Sequence, residues 1–274
     1  METIEIKNHQ DKKHGITSFF YKWMREAYLP TLTMIFFFVL WEVLIRLLEV
    51  PRYILPAPLA IFKEFGKNFP LIWSHTLVTA NETFIGFAIA VVVGVPLSIC
   101  VAFSETLRRT VYVGSVALGM VPTIAFAPLF VVWFGFAFAS KMVVVFWVCF
   151  FPILINGIFG FISLSDELKY FSQSTGANQI TTFWKIRLPA ALPQVFLGLK
   201  GGAINATIGA TIAEWIGGNA GLGYYIQVAT GDFNMRLALA SIIMLTLVGL
   251  LLYFLVVLVE IKLIPWHESQ RDNV

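Results

Sequence analysis

Charged side chains within apolar stretches are the residues of this sequence that could do chemistry. Glu214 lies near the end of an apolar segment, where a carboxylate either lines a pathway as a gate or faces water at a membrane interface. Glu42 and Arg46 stand four residues apart, a helical spacing that predicts an ion pair. Glu82 is expected to act in helix packing or capping. Lys200 is expected to extend its amino group to the cytoplasmic membrane surface.

Motifs of an enzymatic centre are absent from the sequence. No Gly-x-x-x-x-Gly-Lys-Ser/Thr segment occurs, so the chain has no P-loop for ATP phosphates. The four histidines and two cysteines do not have the spacing of a zinc site. We therefore expect no catalytic residue, no metal and no cofactor in this chain, and an integral-membrane enzyme is disfavoured.

Two proline residues interrupt one apolar segment. Pro122 and Pro128 each remove a backbone hydrogen bond and free a carbonyl group. Irregular backbone at membrane depth is tolerated where it lines a cavity. Thr123, next to the first break, could then reach a solute, although a kink that only improves packing would explain the same prolines.

Small residues dominate a second segment. Gly198 and Gly202 are four residues apart, which favours close approach of two helices. Asn205 and Thr211 in the same segment are candidate pathway groups, while helix packing is the simpler interpretation of both.

The composition is that of a chain surrounded by lipid. Of the 274 residues, 58% are hydrophobic and 13% are charged, whereas soluble domains carry about 25% charged residues. Six apolar segments are long enough to cross a ~30 Å hydrocarbon layer as helices: about 29–48, 75–103, 110–138, 141–164, 193–216 and 237–263. The sequence thus predicts an all-α membrane protein with six transmembrane helices.

The basic residues predict the orientation of these spans. Twelve lysines and arginines fall on the side of the two termini and six on the other, which places both termini in the cytoplasm. Residues 1–28 are then a cytoplasmic tail rather than a cleavable signal peptide, 29–264 a membrane domain and 265–274 a second cytoplasmic tail. The net charge of +3 gives no support to a nucleic-acid partner.

The loop at 165–189 is then cytoplasmic, and it has the pattern of a helix, a break at Gly176 and a second short helix that stops at Leu188–Pro189. The second helix is expected to expose Phe183 and Trp184. Exposed aromatic residues on a short helix suggest a plug for a partner's groove, and the alternative is an amphipathic loop on the membrane surface.

The spacing in this loop resembles the cytoplasmic signature of ABC-importer permeases. That signature has an acidic-Ala-Ala triplet, then Gly, nine residues, Ile, one residue and Leu-Pro. Gly176, Ile186, Leu188 and Pro189 fall at this spacing, while 170–172 read Tyr-Phe-Ser instead of the triplet. Further similarities are Leu-Pro-Ala-Pro at 55–58, Trp-Phe-Gly at 133–135, Ala-Glu at 213–214, Gly-Leu-Gly-Tyr at 221–224 and Leu-Ile-Pro-Trp at 263–266. Together they resemble the nitrate/sulfonate/taurine branch, and the thiamine-precursor pyrimidine branch is similar.

This resemblance implies a type I ABC-importer permease fold in the bacterial inner membrane. It implies a permease homodimer in lipid, two cytoplasmic ABC ATPase subunits that use ATP, and an extracytoplasmic solute-binding protein. The residues expected to couple to the ATPase are Gly176, Ala177, Phe183, Trp184, Ile186, Leu188 and Pro189. Those expected on the translocation pathway are Pro122, Thr123, Pro128, Asn205, Thr211 and Glu214.

A transporter driven by an ion gradient is the alternative function. It would need a relay of carboxylates at membrane depth and often an internal repeat, and the sequence shows no convincing repeat. The residues at membrane depth are mostly neutral or acidic with many aromatics, which favours an uncharged or aromatic solute over an anion.

Overall fold

The computed structural model describes residues 28–29, 31–136, 138–163, 168, 170, 174, 176 and 178–265. Residues 1–27 and 266–274, which form nearly all of the two predicted tails, lie outside it. Every regular element within the described residues is helical. The helices are α1 (31–47), α2 (Pro58–Lys67), α3 (Phe69–Phe103), α4 (Glu105–Gly119), α5 (Thr123–Phe134), α6 (Phe138–Ile162), α7 (Gln179–Gly217), α8 (Leu222–Gly231) and α9 (Met235–Leu263).

Four of these helices, α3, α6, α7 and α9, are long and apolar enough to cross a membrane. The pair of α4 and α5 adds a fifth candidate span among the described residues, bent by 98° at its break. Helix α1 covers the segment predicted as the first span. The prediction of an all-α membrane protein is confirmed, whereas the count of six and the side of the termini stay predictions.

The third predicted span, 110–138, is not a single helix. Helix α4 ends at Gly119 and α5 begins at Thr123, with Pro122 between them. Pro122 has no N–H to continue the α4 ladder, and its carbonyl instead accepts a 2.9 Å bond from the Ala125 N–H. The expected break at Pro122 is therefore present, but it turns the chain sharply, while Pro128 is accommodated inside α5.

Helix α7 is longer than the sequence predicted. The expected stop at Leu188–Pro189 is wrong, because one helix of 39 residues runs from Gln179 to Gly217. A π-helical turn at Phe183–Arg187 ends two residues before Pro189. This wider turn changes the backbone pairing from i+4 to i+5, so a residue without an N–H fits there without ending the helix.

Helix α6 packs between α3 and α7, and its contacts with these two helices are the most extensive in the structure. Gly198 of α7 lies directly on the α6 backbone: a Cβ added there would be 2.9 Å from the Pro152 carbonyl oxygen and 3.2 Å from the Ile153 Cα. Gly202 approaches the side chain of Ile153 as closely. The predicted small-residue interface is therefore confirmed, with α6 as the partner helix.

Ion pairs join helices at several points. Arg46 donates to Glu42 over 2.7 Å, as the spacing predicted, and the second Glu42 oxygen accepts the Leu59 N–H at the start of α2. The expectation that Lys200 extends to the cytoplasmic surface stays a prediction, and the structure adds a partner that the sequence did not indicate. The Lys200 amino group lies 2.9 Å from Glu260, near the end of α9, and the two side chains are 22% and 10% exposed.

We expect Gly198→Ala to destabilise the protein by about 1–3 kcal/mol, because the new methyl group meets backbone atoms that cannot move aside. Gly201→Ala is the matched control, since its Cβ would be 3.8 Å from Pro152, an ordinary contact. Thermal unfolding of the two purified variants in detergent measures the difference. Equal melting temperatures would contradict the close α6–α7 contact.

Candidate functional site

A recess of about 230 Å³ lies beside the break between α4 and α5 and is walled by α6 and α7. Two of the predicted pathway residues, Thr123 and Asn205, line it together although they are far apart in sequence. The aromatic rings of Trp147 and Phe151 form part of its wall. The structure thus brings a hydroxyl, an amide and two aromatic rings to one cavity.

The polar character of the recess comes from uncharged groups. Pro152 has no N–H, so the carbonyl of Val148 loses its usual helical donor, and both residues line the recess. Thr123 is the first residue of α5, where backbone N–H groups have no partner within the helix. Among the described residues that line the recess, none carries a charge. It can therefore offer donors and acceptors to a ligand, but no counter-ion.

The remaining predicted pathway residues lie outside this recess. Pro122 forms the break itself and Pro128 lies within α5. The Thr211 hydroxyl donates to the carbonyl of Thr207, one turn earlier in α7. Glu214 lies in a different environment, close to the end of α7.

Glu214 is completely buried, which excludes a carboxylate facing water. One of its oxygens accepts a 2.6 Å hydrogen bond from the Thr79 hydroxyl of α3, and the other accepts the backbone N–H of Gly223. The Thr79 oxygen in turn accepts the N–H of Leu222 over 2.7 Å. Glu214 therefore connects α3, α7 and the start of α8.

His75 completes this arrangement from one turn earlier in α3. Its Nδ1 accepts the N–H of Gly221 over 3.0 Å, so Nδ1 carries no proton and the ring is in its neutral Nε2–H form. The imidazole also stacks on the ring of Tyr225, with centroids 4.6 Å apart. His75 and Thr79 thus hold consecutive amides at the start of α8 from one face of α3.

A buried ion pair lies next to this group. Lys141 of α6 donates to Glu82 of α3 over 2.8 Å, and both side chains are almost fully buried. The predicted packing role of Glu82 is confirmed, with α6 as the helix it joins. Its second oxygen has no hydrogen-bond donor within the described residues. Lys141 is therefore the cation that offsets the buried Glu82 carboxylate.

The predicted coupling residues occupy two kinds of position. Gly176 has a φ of +61°, a left-handed conformation suited to glycine, and Ala177 lies outside the described residues. Trp184 is 63% exposed, as expected. Phe183 was expected to be exposed too, but it packs against Phe103 and Phe161 at the ends of α3 and α6. The positions of Ile186, Leu188 and Pro189 are half-buried on α7.

The comparison with known proteins agrees with this geometry. Residues 90–264 match the family described as the binding-protein-dependent transport system inner membrane component. The formylaminopyrimidine transport permease protein ThiX of Halalkalibacterium halodurans is 33% identical over 89% of this chain and 98% of its own length. The chain belongs to this family of ABC-importer permeases.

Other relatives have the same kind of role. The riboflavin transport system permease protein RibX of Chloroflexus aurantiacus is 32% identical over 86% of this chain and 89% of its own length. The taurine transport system permease protein TauC of Escherichia coli is 28% identical over 80% of each chain. The permease is therefore a multi-pass membrane transport subunit and not an enzyme, and its family works with ATPase and binding-protein partners. None of these relatives supports the alternative of a transporter driven by an ion gradient.

Sequence reasoning missed three polar residues of the permease, His75, Thr79 and Lys141. His75, Thr79 and Glu82 follow a spacing of four and three residues, which places them on one face of a helix. This stripe of polar residues was the signal for an internal contact surface. Lys141 gave no such signal, because it stands at the start of an apolar segment where a lysine is expected to face water.

The ion pair can be tested by replacing each partner and then both. Glu82→Gln and Lys141→Met should each lower the free energy of unfolding by roughly 3–5 kcal/mol, since each leaves a buried charge without its partner. The double variant removes both charges and should recover most of that loss. Thermal unfolding of the three purified permeases measures the coupling, and purely additive losses would exclude a direct interaction.

Proposed function

We propose that this permease forms the pathway by which an ATP-driven importer takes up an uncharged heteroaromatic solute delivered by an extracytoplasmic binding protein. The observation that carries the solute class is the recess lined by Thr123, Asn205, Trp147 and Phe151, which has polar groups but no charge. Aromatic walls with a few placed polar groups suit a flat ring with hydrogen-bonding edges.

The names of the relatives support this class. Two of the relatives named above are permeases for formylaminopyrimidine and riboflavin, both nitrogen heteroaromatic compounds. The second candidate is a sulfonate such as taurine, which the relative from Escherichia coli favours. An anionic sulfonate group would leave its charge without a cationic partner in this recess, so we favour the heteroaromatic class.

We assign the contact with the ATPase subunits to the segment 165–189, which is predicted to be cytoplasmic. In this proposal the ATPase subunits bind and hydrolyse the ATP. Ile180 and Trp184 are four residues apart on α7 and are 71% and 63% exposed. Phe183 supports this surface from beneath through its contacts with Phe103 and Phe161. The proposed coupling set also includes Gly176, Ala177, Ile186, Leu188 and Pro189.

We further propose that two copies of the permease form the pathway. The recess is open to the surface of the single chain, and in this proposal the second copy covers it. ATP-driven closure of the two ATPase subunits would move the cytoplasmic segments and change the side to which the pathway opens. In this arrangement Pro122 and Pro128 shape the pathway wall, and Thr211 and Glu214 lie beyond the recess toward the end of α7.

Trp184→Ala should lower the amount of ATPase subunit that co-purifies with the tagged permease by about ten-fold, because a large aromatic anchor in a partner's groove contributes roughly 2 kcal/mol or more. Trp73→Ala is the matched control, since Trp73 is also partly exposed but lies near the start of α3. Immunoblotting of the purified complexes measures the ratio. Equal losses in both variants would contradict the proposed coupling surface.

Thr123→Val should lower uptake by about ten-fold if the hydroxyl contacts the solute, since one unpaired hydrogen-bonding group costs about 1–3 kcal/mol. Thr246→Val is the control, because the Thr246 hydroxyl only bonds to its own helix at Ile242. Uptake of labelled formylaminopyrimidine, riboflavin, taurine and nitrate is compared in membrane vesicles that contain the complete importer. Preferential uptake of taurine or nitrate would overturn the heteroaromatic assignment.

A further inference from the structure

Helix α7 connects the proposed coupling surface to the opposite end of the molecule. Its 39 residues form one helix, about 58 Å long at 1.5 Å per residue. Ile180 and Trp184 stand near its first turns, and Glu214 and Trp215 stand in its last turn. The two ends are therefore joined by one continuous helix, without an intervening loop.

Two side chains at the end of α7 bind the backbone N–H and the backbone carbonyl of Gly223, at the start of α8. Glu214 accepts the N–H of Gly223, and the Trp215 indole N–H donates to the Gly223 carbonyl over 3.0 Å. The chain between the two helices is pressed onto the same carboxylate. A Cβ on Gly221, whose φ is +109°, would lie 2.1 Å from a Glu214 oxygen. The connection between α7 and α8 is therefore tightly packed against Glu214.

The contact of α8 with α3 is of a different kind. His75 and Thr79 accept the N–H groups of Gly221 and Leu222, which the helix cannot satisfy itself. Each is a single hydrogen bond to a side chain, and the Thr79 hydroxyl also donates to Glu214. The start of α8 is therefore fixed to α7 through its backbone, whereas its contact with α3 is made by side chains: the two acceptors, the stacking of His75 on Tyr225 and apolar packing around Ile72.

We propose that Glu214 transmits the movement of α7 to α8, so that α8 separates from His75 and Thr79 and returns to them in each transport cycle. The inference rests on the proposed coupling function, because it takes the ATPase to be the source of the movement. Glu214 is a positioning residue in this scheme and does not contact the solute. We call the group of His75, Thr79 and Glu214 the α8 clasp.

Glu214→Gln and Thr79→Val are the variants that test the α8 clasp. Glutamine keeps the shape of the side chain but has only one acceptor oxygen, so it cannot accept both the Gly223 N–H and the Thr79 hydroxyl. Thr83→Val is the matched control. Thr83 is a fully buried threonine one turn further along α3, and its hydroxyl has no hydrogen-bond partner within the described residues.

The first measurement is the amount of solute imported per ATP hydrolysed by the purified importer in liposomes, with formylaminopyrimidine or riboflavin as the probe that the wild-type importer takes up. Glu214→Gln should lower this ratio by about ten-fold, as expected for the loss of an ordinary coupling interaction. Thr79→Val should lower it in the same direction, and Thr83→Val should match the wild type. A normal ratio in Glu214→Gln would overturn the proposal.

The second measurement is hydrogen–deuterium exchange of residues 221–231 with and without ATP trapped in the complex. In the wild type and in Thr83→Val, trapped ATP should increase exchange of these amides, and in Glu214→Gln this response should be lost. A Glu214→Gln chain that no longer assembles with the ATPase would overturn the proposal in favour of a folding role. A wild-type permease that binds no ATPase would instead refute the proposed function itself.

Discussion

A backbone N–H group that ends up inside the membrane without a helical partner must find an acceptor within the protein, because lipid provides none. The starts of α2 and α8 obtain such acceptors from side chains of other helices. At the start of α2, the acceptor is a carboxylate oxygen of Glu42 on α1. At the start of α8, the acceptors are His75, Thr79 and Glu214 from two other helices.

The break between α4 and α5 differs from the start of α8, because it adjoins a recess. There the chain turns by 98°, and the uncharged residues Thr123, Val148 and Asn205 line a common recess. The two breaks therefore divide the molecule by function in our proposal. The break before α8 is closed by side chains of the protein, and the break before α5 leaves its polar groups for a solute.

The sequence was sufficient for features that depend on local pattern. The apolar segments, the Glu42–Arg46 pair and the small-residue face of α7 all follow from spacing along one helix. It failed at Pro189, where a π-helical turn allows the helix to continue, and it did not indicate the partner of Lys200, because Glu260 lies 60 residues away. The neighbours of Glu214 were beyond reach for the same reason, because Thr79 is separated from it by 135 residues.

The two internal ion pairs also constrain how this chain enters the membrane. Glu82 on α3 is synthesised 59 residues before Lys141, and Lys200 on α7 is synthesised 60 residues before Glu260. A charged residue near the centre of a helix opposes insertion by roughly 2.5–3.5 kcal/mol. We therefore expect α3 and α7 to enter the bilayer with a charge whose partner is synthesised later. On this expectation, α3 with α6 and α7 with α9 insert as pairs rather than as independent helices.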